Sequence, residues 1–439
     1  MTMQLERGAK KVIQRLLENG YEAYMVGGCV RDRQLNRTVK DYDIATSAKP
    51  DQVQRLFRRT IPTGLQHGTI TVKVDDCLYE VTTFRLESGY ADFRRPAEVQ
   101  YIDSLYEDLR RRDFTMNAMA LDLEGRLIDP FHGMDDVASR LLRCVGDASE
   151  RFREDALRML RCIRFAAEYD LDIERQTWHS LLVEAPLLAH IAMERVRMEL
   201  ERMLTGANPK RAVELLIESG LMANAKQPLL LAALEPGKLS PAWGNLDSVT
   251  TKLAYLYWHA GAGAAEAESE LRKLTFSKQQ LEQVRQVLAA AAGLSRQLAE
   301  AEAGTEASGE SGEARLERAW KLTAVAFGAA AVEAVRNIAA ADPAAWTKLG
   351  VSIDMSGSLA ENGNRWLRDM PVQRLDELRI NGKDLIALMN RPAGAWISQV
   401  MGHLLRETAL NRLENEKEAL LAEAGRYEAG VLRQESGPI

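Results

Sequence analysis

In KDYDIAT, Asp41 and Asp43 stand two residues apart. On an extended segment such residues project from one face, so their carboxylates repel each other unless a cation lies between them. Mg²⁺, a hard ion that takes oxygen ligands, fits that pair when a phosphate is also present. Just upstream, MVGGCVRD (25–32) reads as a strand turning through two glycines into a helix. Such a turn aims backbone N–H groups at whatever lies over the helix start near Gly28, and Arg31 adds a positive fork suited to a triphosphate. Taken singly, the Gly-Gly pair is a tight turn that needs glycine's φ angles and the two aspartates are a solvent-facing couple. In this order, with the arginine between them, they describe a metal and triphosphate site. Glu80, in CLYEVTTF, is either the outward residue of an alternating strand or a third carboxylate facing the aspartates. In the second case the three acids would build a two-metal site, which activates an attacking hydroxyl and stabilises departing pyrophosphate.

Two arginine-rich segments follow. In LRRRDFTMNAMA (109–120), Arg110, Arg111 and Arg112 cannot share one helix face, so the run is either a solvated basic surface or a contact to phosphate or RNA. In RFREDALRMLRCIRF (151–165), read as one helix, Phe152, Ala156, Met159 or Leu160, Ile163 and Ala167 form a buried stripe. Asp155, Arg158, Arg161 and Arg164 recur every three residues along another side. That row is either an intrahelical salt-bridge ladder, with Glu154 and Arg158 at i,i+4, or an acceptor and donors offered to a base edge. Cytosine presents an N4 donor beside the N3 acceptor and adenine an N6 donor beside N1. An Asp–Arg couple therefore selects C and A, and guanine and uracil present the opposite pattern.

The elements that must position these residues divide the chain in two styles. From about 21 to 130, YEAYMVGG, DYDIAT, GTITVKV and CLYEVTTF are short, partly alternating strand-like runs, separated by the helical VRDRQL and the Pro-started PDQVQRLFRR. Asp75 and Asp76 mark a hairpin turn. This is a mixed α/β domain on one sheet. After about 140 the strands should disappear, since ERFREDALRMLRCIRFAAE, RVRMELERMLTG and KRAVELLIESGLM carry apolar residues at three- and four-residue spacing. Gly206, Asn208 and Pro209 punctuate one boundary, and 235–248 reads as a long surface connection. The Gly, Ser, Ala and Glu of 301–315 offer almost nothing to bury, and the last domain boundary is placed there.

Composition restricts the classes. The 439 residues suffice for about three domains. A composition of 46% hydrophobic and 27% charged residues excludes fibrous and wholly disordered chains. The net charge of −6 means that a nucleic-acid partner needs a local basic surface. Cys29, Cys77, Cys144 and Cys162 form no CxxC pair, so reduced thiols are expected. The amphipathic, charged N-terminus lacks the apolar core of an export signal, and no run approaches the ~18 apolar residues of a membrane span. A cytoplasmic protein without membrane attachment is the expectation.

GGCVRD, DYDIAT, EVTTFR, RRDFTMNAMA, IDPFHG and EDALR, in this order and spacing, resemble the class II tRNA nucleotidyltransferases, the CCA-adding enzymes. The resemblance is to the bacterial form without an HD phosphohydrolase domain, and it extends to NGKDLIALMNRPAGAWI (381–397). It implies an α+β polymerase-beta-like nucleotidyltransferase head (1–140), a helical neck (141–205), a helical body (206–315) and a helical tail (316–439), the body and tail gripping the acceptor and TΨC arms of tRNA. By position, Asp41 and Asp43 would bind Mg²⁺ and Glu80 would complete the catalytic acids. Gly28, Arg31 and Arg112 would hold phosphates and sugar. Asp155 and Arg158 would pair with the incoming base of CTP or ATP, with Arg161 and Arg164 supporting them. Relatives that add only CC lack a flexible loop after EVTTFR, and here 86–108 is full length, so addition of the whole CCA is implied. An A-only enzyme, a poly(A) polymerase and a non-catalytic RNA-binding protein are the rival readings. Asn36 stands where the family often has glycine, and asparagine accepts the same left-handed backbone. The oligomeric state is left open, a homodimer included.

Overall fold

The computed structural model describes residues 2–65, 68–91, 95–303, 311–349 and 351–435. The chain divides into two compact units, 1–232 and 233–439.

The first unit begins with helix α1 (Thr2–Glu18), whose Ala9, Val12, Ile13 and Leu16 are fully buried. They pack on one face of a sheet built from β1 (Ala23–Val26), β2 (Asp43–Thr46), β3 (Thr60–Gly64), β4 (Thr69–Val74), β5 (Cys77–Thr83), β8 (Ala120–Leu121) and β9 (Leu127–Ile128). Helices α2 (Gly28–Gln34) and α3 (Pro50–Leu56) connect the strands as expected. The strand order is β3-β4-β5-β2-β1-β8-β9. Only β2 and β5 run parallel, so the sheet is mixed. In β5, Tyr79, Val81 and Thr83 point inward while Leu78 and Glu80 point out, the alternation of a half-buried strand. Asp75 and Asp76 take φ of 49° and 62° in the β4–β5 turn, the left-handed pair that a two-residue hairpin needs.

The register matters most for chemistry. Val26 pairs with Asp43 across β1 and β2, and Asp43 pairs with Glu80 across β2 and β5. One row across the sheet therefore carries the end of the glycine turn, an aspartate and a glutamate.

Residues 86–108, expected as a flexible loop, lie largely in a two-stranded antiparallel ribbon, β6 (Arg85–Ala91) with β7 (Arg95–Tyr101), followed by α4 (Leu105–Arg110). Local pairing satisfies the backbone that an open loop would leave to water. Next come α5 (Gly133–Ala138), α6 (Ala148–Glu154), α7 (Leu157–Tyr169), α8 (Arg175–Glu184), α9 (Met193–Thr205) and α10 (Pro209–Glu218). Two expectations fail here. Strand pairing does not end at 140, because β10 (Leu141–Leu142) lies parallel to β11 (Asp172–Ile173). Nor is 151–165 one helix: Asp155 is extended (φ −143°, ψ 103°) between α6 and α7, and its Oδ1 accepts the Leu157 N–H at 3.1 Å. An aspartate that bonds the backbone N–H two residues on competes with helix and starts a new one. The apolar stripe survives the break, since Phe152, Ala156, Met159, Leu160, Ile163 and Ala167 are all buried.

The second unit is helical: α11 (Val249–His259), α12 (Ala264–Lys273), α13 (Lys278–Ala303), α14 (Gly312–Phe327), α15 (Ala329–Ala341), α16 (Ile353–Arg368), α17 (Gly382–Met389), α18 (Ala395–Ala409) and α19 (Lys417–Glu435). Residues 235–248 are a largely exposed connection leading into α11, as expected. They form short 3₁₀ turns held by Trp243, which is fully buried and stacks on Tyr255 at 5.8 Å. A single buried indole pins this connection, because aromatic burial dominates local packing energy. Of the 301–315 linker, 304–310 lie outside the described residues, and its ends belong to α13 and the start of α14.

Candidate active site

Gly27 turns β1 into α2 with φ 73°, a left-handed conformation that favours glycine. A Cβ there would also lie 2.7 Å from Arg112 Nη1. Past this turn opens a cavity of about 540 Å³, lined by Gly27, Gly28, Arg31, Asp43, Glu80, Arg111, Arg112, Asp113, Asn117, Asp155, Arg158, Arg161 and Arg195 among others. Asp43 and Glu80 of the sheet and Asp155 and Arg158 of the EDALR segment, 112 residues apart between Asp43 and Asp155 in the numbering, thus face one space.

The acidic wall carries uncompensated charge. Burial pushes the Asp43 carboxyl up to about 6, and the Asp41 and Glu80 charges add to the rise while Arg112 opposes it. Of the two sequence readings of Glu80, the cavity position favours the third carboxylate. The three acids nevertheless do not form a ligand cluster: among the described residues no group of three or more His, Cys, Asp or Glu is placed to hold a metal ion. Asp41 is exposed, precedes the strand and is not among the cavity's lining residues. Asp43 and Glu80 are held on neighbouring strands, whose spacing the ladder fixes.

The arginines are committed to partners. Arg111 bonds Asp108 at 2.7 Å, Arg112 reaches Asp108 at 3.5 Å and the Asn117 carbonyl at 3.4 Å, and Arg110 lies exposed. Arg112 Nε is buried without a partner among the described residues, a donor left for something else. Arg31 donates to Asn117 Oδ1 at 2.6 Å and to Asp32 at 3.0 Å.

On the opposite wall, Asp155 is gripped by both Arg195 nitrogens, at 3.2 and 2.9 Å. With the Leu157 N–H, three of a carboxylate's roughly four acceptor positions are filled. Arg158 bonds Glu154 at 2.6 Å and the Arg111 carbonyl at 3.0 Å, so the i,i+4 pair expected from sequence exists. Arg161 bonds Asp113 at 2.9 and 2.5 Å, and Arg164 bonds Glu199 at 2.7 Å. Burial alone would raise the Asp113 carboxyl, but the Arg161 charge, the Asn117 amide and the Arg158 charge hold it well below the usual carboxylate range. Asp113, Asn117, Arg195 and Glu199 are the site-building residues that sequence reading passed over. Asp113 and Asn117 sit in the quoted RRDFTMN at helical i,i+4 spacing, which was the available signal.

Residues 23–143 match the family profile of the poly A polymerase head domain, 170–232 that of the probable RNA and SrmB-binding site of polymerase A, and 245–424 that of tRNA nucleotidyltransferase domain 2. The chain is 39% identical over 414 residues to a CCA-adding enzyme of Geobacillus stearothermophilus, covering 94% of each. The chain belongs to the CCA-adding enzymes. A second relative, the CCA-adding enzyme of Geobacillus sp. (strain WCH70), is 37% identical over 93% of this chain and 94% of its own. The crystal structure of the Bacillus stearothermophilus CCA-adding enzyme in complex with CTP superposes with a TM-score of 0.74 at 35% identity, covering 98% of both chains. Nucleotidyltransferases of this family are generally divalent-metal dependent. The residues present fit such an ion: a desolvated Asp43 beside the like charges of Asp41 and Glu80 calls for a cation. No helix among the described residues is long and apolar enough to cross a membrane, and no HD-type metal centre occurs among them.

Proposed function

We propose that this chain builds the 3′-terminal CCA of tRNA from CTP and ATP without a nucleic-acid template. The terminal 3′-OH of tRNA attacks the α-phosphorus in line. The new O–P bond forms as the bond to the oxygen bridging the α- and β-phosphates breaks, the hydroxyl proton passes to solvent, and pyrophosphate leaves with its negative charge. The observation that carries this reading is the single cavity in which Asp43 and Glu80 face Asp155 and Arg158.

Asp41 and Asp43 would hold Mg²⁺, with phosphate oxygens completing a shell that two carboxylates leave open, and Glu80 adds negative potential beside them. Bound there, the ion would favour the alkoxide form of the 3′-OH and offset charge on the triphosphate. Gly28, Arg31 and Arg112 take the phosphates and sugar, the buried Arg112 Nε being a ready donor. Asp155 accepts from the exocyclic amino group of C or A while Arg158 donates to the ring nitrogen. Arg161 and Arg164 hold the start of that helix through Asp113 and Glu199. The head at 1–140, neck at 141–205, and body and tail beyond (206–315 and 316–439) would divide catalysis, selection and grip on the acceptor and TΨC arms. A tRNA-processing role and free thiols fit the cytoplasm.

The test supplies Mg²⁺ and tRNA transcripts ending in the discriminator base, in C or in CC, with labelled CTP and ATP given separately and together. Addition of C, C and A to the shortest transcript, then a stop, is expected. Addition of A alone, and only to the CC-ended tRNA, would assign the chain to a divided pathway.

A further inference from the structure

Arg31 is almost fully buried, yet its guanidinium is only partly used. Its Nε donates to Asp32 Oδ1 and its Nη1 to Asn117 Oδ1, while Nη2 makes no hydrogen bond among the described residues. Nη2 is directed toward Gly28, where an added Cβ would lie 3.5 Å from it. A buried cation with one open edge facing a polar cavity is arranged for an anion. Two hydrogen bonds fix the guanidinium within its plane but leave it free to tilt, and the tilt is set by rings. Arg31 lies 4.3 Å from the centre of the Tyr169 ring and 5.3 Å from that of Phe165.

Tyr169 ends α7, the helix that begins next to Asp155 and carries Arg158. Its hydroxyl donates to Asp32 Oδ1 at 2.8 Å, the same oxygen that Arg31 Nε uses. Arg37 also lies against this ring, at 4.4 Å, and bonds the Glu168 carbonyl and carboxylate at 3.1 and 2.8 Å. The left-handed Asn36 (φ 53°) turns the chain after α2 so that Arg37 can reach it. One aromatic side chain from the base-reading helix thus braces both the arginine of the phosphate turn and the segment behind it.

We infer that Tyr169 is a positioning residue for triphosphate binding: its ring face holds the Arg31 guanidinium with the open edge toward the phosphates, whichever base the nucleotide carries. This rests on the reading that Arg31 contacts the triphosphate. Loss of the ring should therefore weaken binding of CTP and ATP equally, and of a bare triphosphate by the same factor, while the chemical step and the choice of base persist.

The experiment compares Tyr169→Phe, Tyr169→Leu and Arg31→Ala by steady-state kinetics with CTP and ATP, and by inhibition with inorganic tripolyphosphate. Tyr169→Leu is expected to raise both KM values and the tripolyphosphate Ki together, by about tenfold, with kcat within a factor of about two. Tyr169→Phe keeps the face and should stay within about twofold of the parent on every measure. Unchanged KM and Ki in Tyr169→Leu overturn the inference, as does a fall in kcat or loss of C/A selectivity at constant KM. Should the leucine variant not fold, Tyr169→Met fills the volume without a ring face and is read in the same way. Tripolyphosphate inhibition untouched in Arg31→Ala would instead overturn the underlying reading of Arg31, which separates the two failures.

Discussion

The two walls of the cavity treat charge in opposite ways. On the sheet side, burial and then the neighbouring Asp41 and Glu80 charges raise the Asp43 carboxyl to about 6. On the helical side every acid has an arginine: Asp113 with Arg161, Asp155 with Arg195, Glu199 with Arg164. Electrostatic incompleteness suits the proposed ligand wall, and completeness suits the proposed frame for base selection. A wall that already satisfied its own charges would gain little from a metal ion, and a frame of unpaired charges would not hold its shape.

The largest expected effect breaks the incomplete wall. Replacing Asp41 and Asp43 together by alanine should lower nucleotide incorporation by at least about a thousandfold while far-UV circular dichroism and the melting temperature hold or improve. Retained activity in that variant would refute the metal assignment. Next, Asp113→Ala strands the half-buried Arg161 guanidinium and the Asn117 amide, and should destabilise the first unit by about 2 kcal/mol in urea unfolding. An effect near zero there would mean that the helical side is not the frame.

Base selection comes third. Asp155→Ala or Arg158→Ala should lose about 1 to 3 kcal/mol of discrimination against UTP and GTP, read as kcat/KM ratios. Unchanged ratios in both would remove the protein-template reading. The smallest effect is the dependence on pH, and the walls should differ in sign. Asp43, raised in the fold, binds its proton more tightly folded than unfolded. Without a divalent ion, stability therefore falls as pH rises from about 4 to about 6. Asp113, held low, stabilises above the unfolded value, and that stability is lost as pH falls below about 4. Denaturation curves across pH should show Asp43→Asn flattening the first arm and Asp113→Asn the second, and Mg²⁺ should raise the melting temperature more at pH 7.5 than at pH 5.

Much of this was legible because short-range chemistry carried it. The glycine turn, the Asp75–Asp76 hairpin and the left-handed Asn36 each follow from a few neighbouring residues, whereas Asp41 falls before the strand that was to align it with Asp43. The break at Asp155 was missed because the periodicity of 151–165 continues through it, and only the side chain's bond to the Leu157 N–H reveals the new helix start. Arg195 was missed for another reason. Its partner lies 40 residues away, and no local pattern marks a charge as belonging to a distant acid. In the second unit the exposed connection at 235–248 was legible from composition, but the burial of its Trp243 was not.

The Asp155–Arg195 pair also has a consequence for synthesis. Asp43 leaves the ribosome about 150 residues before Arg195, an interval of roughly 8 to 30 s at ordinary elongation rates. During that time the emerging head can close its sheet and bring its carboxylates together, but Asp155 lacks the guanidinium that orients it. A ribosome stalled after Ile128, the end of the last sheet strand, and before Arg195 would display a closed sheet with Asp155 not yet oriented, so on the proposed roles the order of translation places selectivity last.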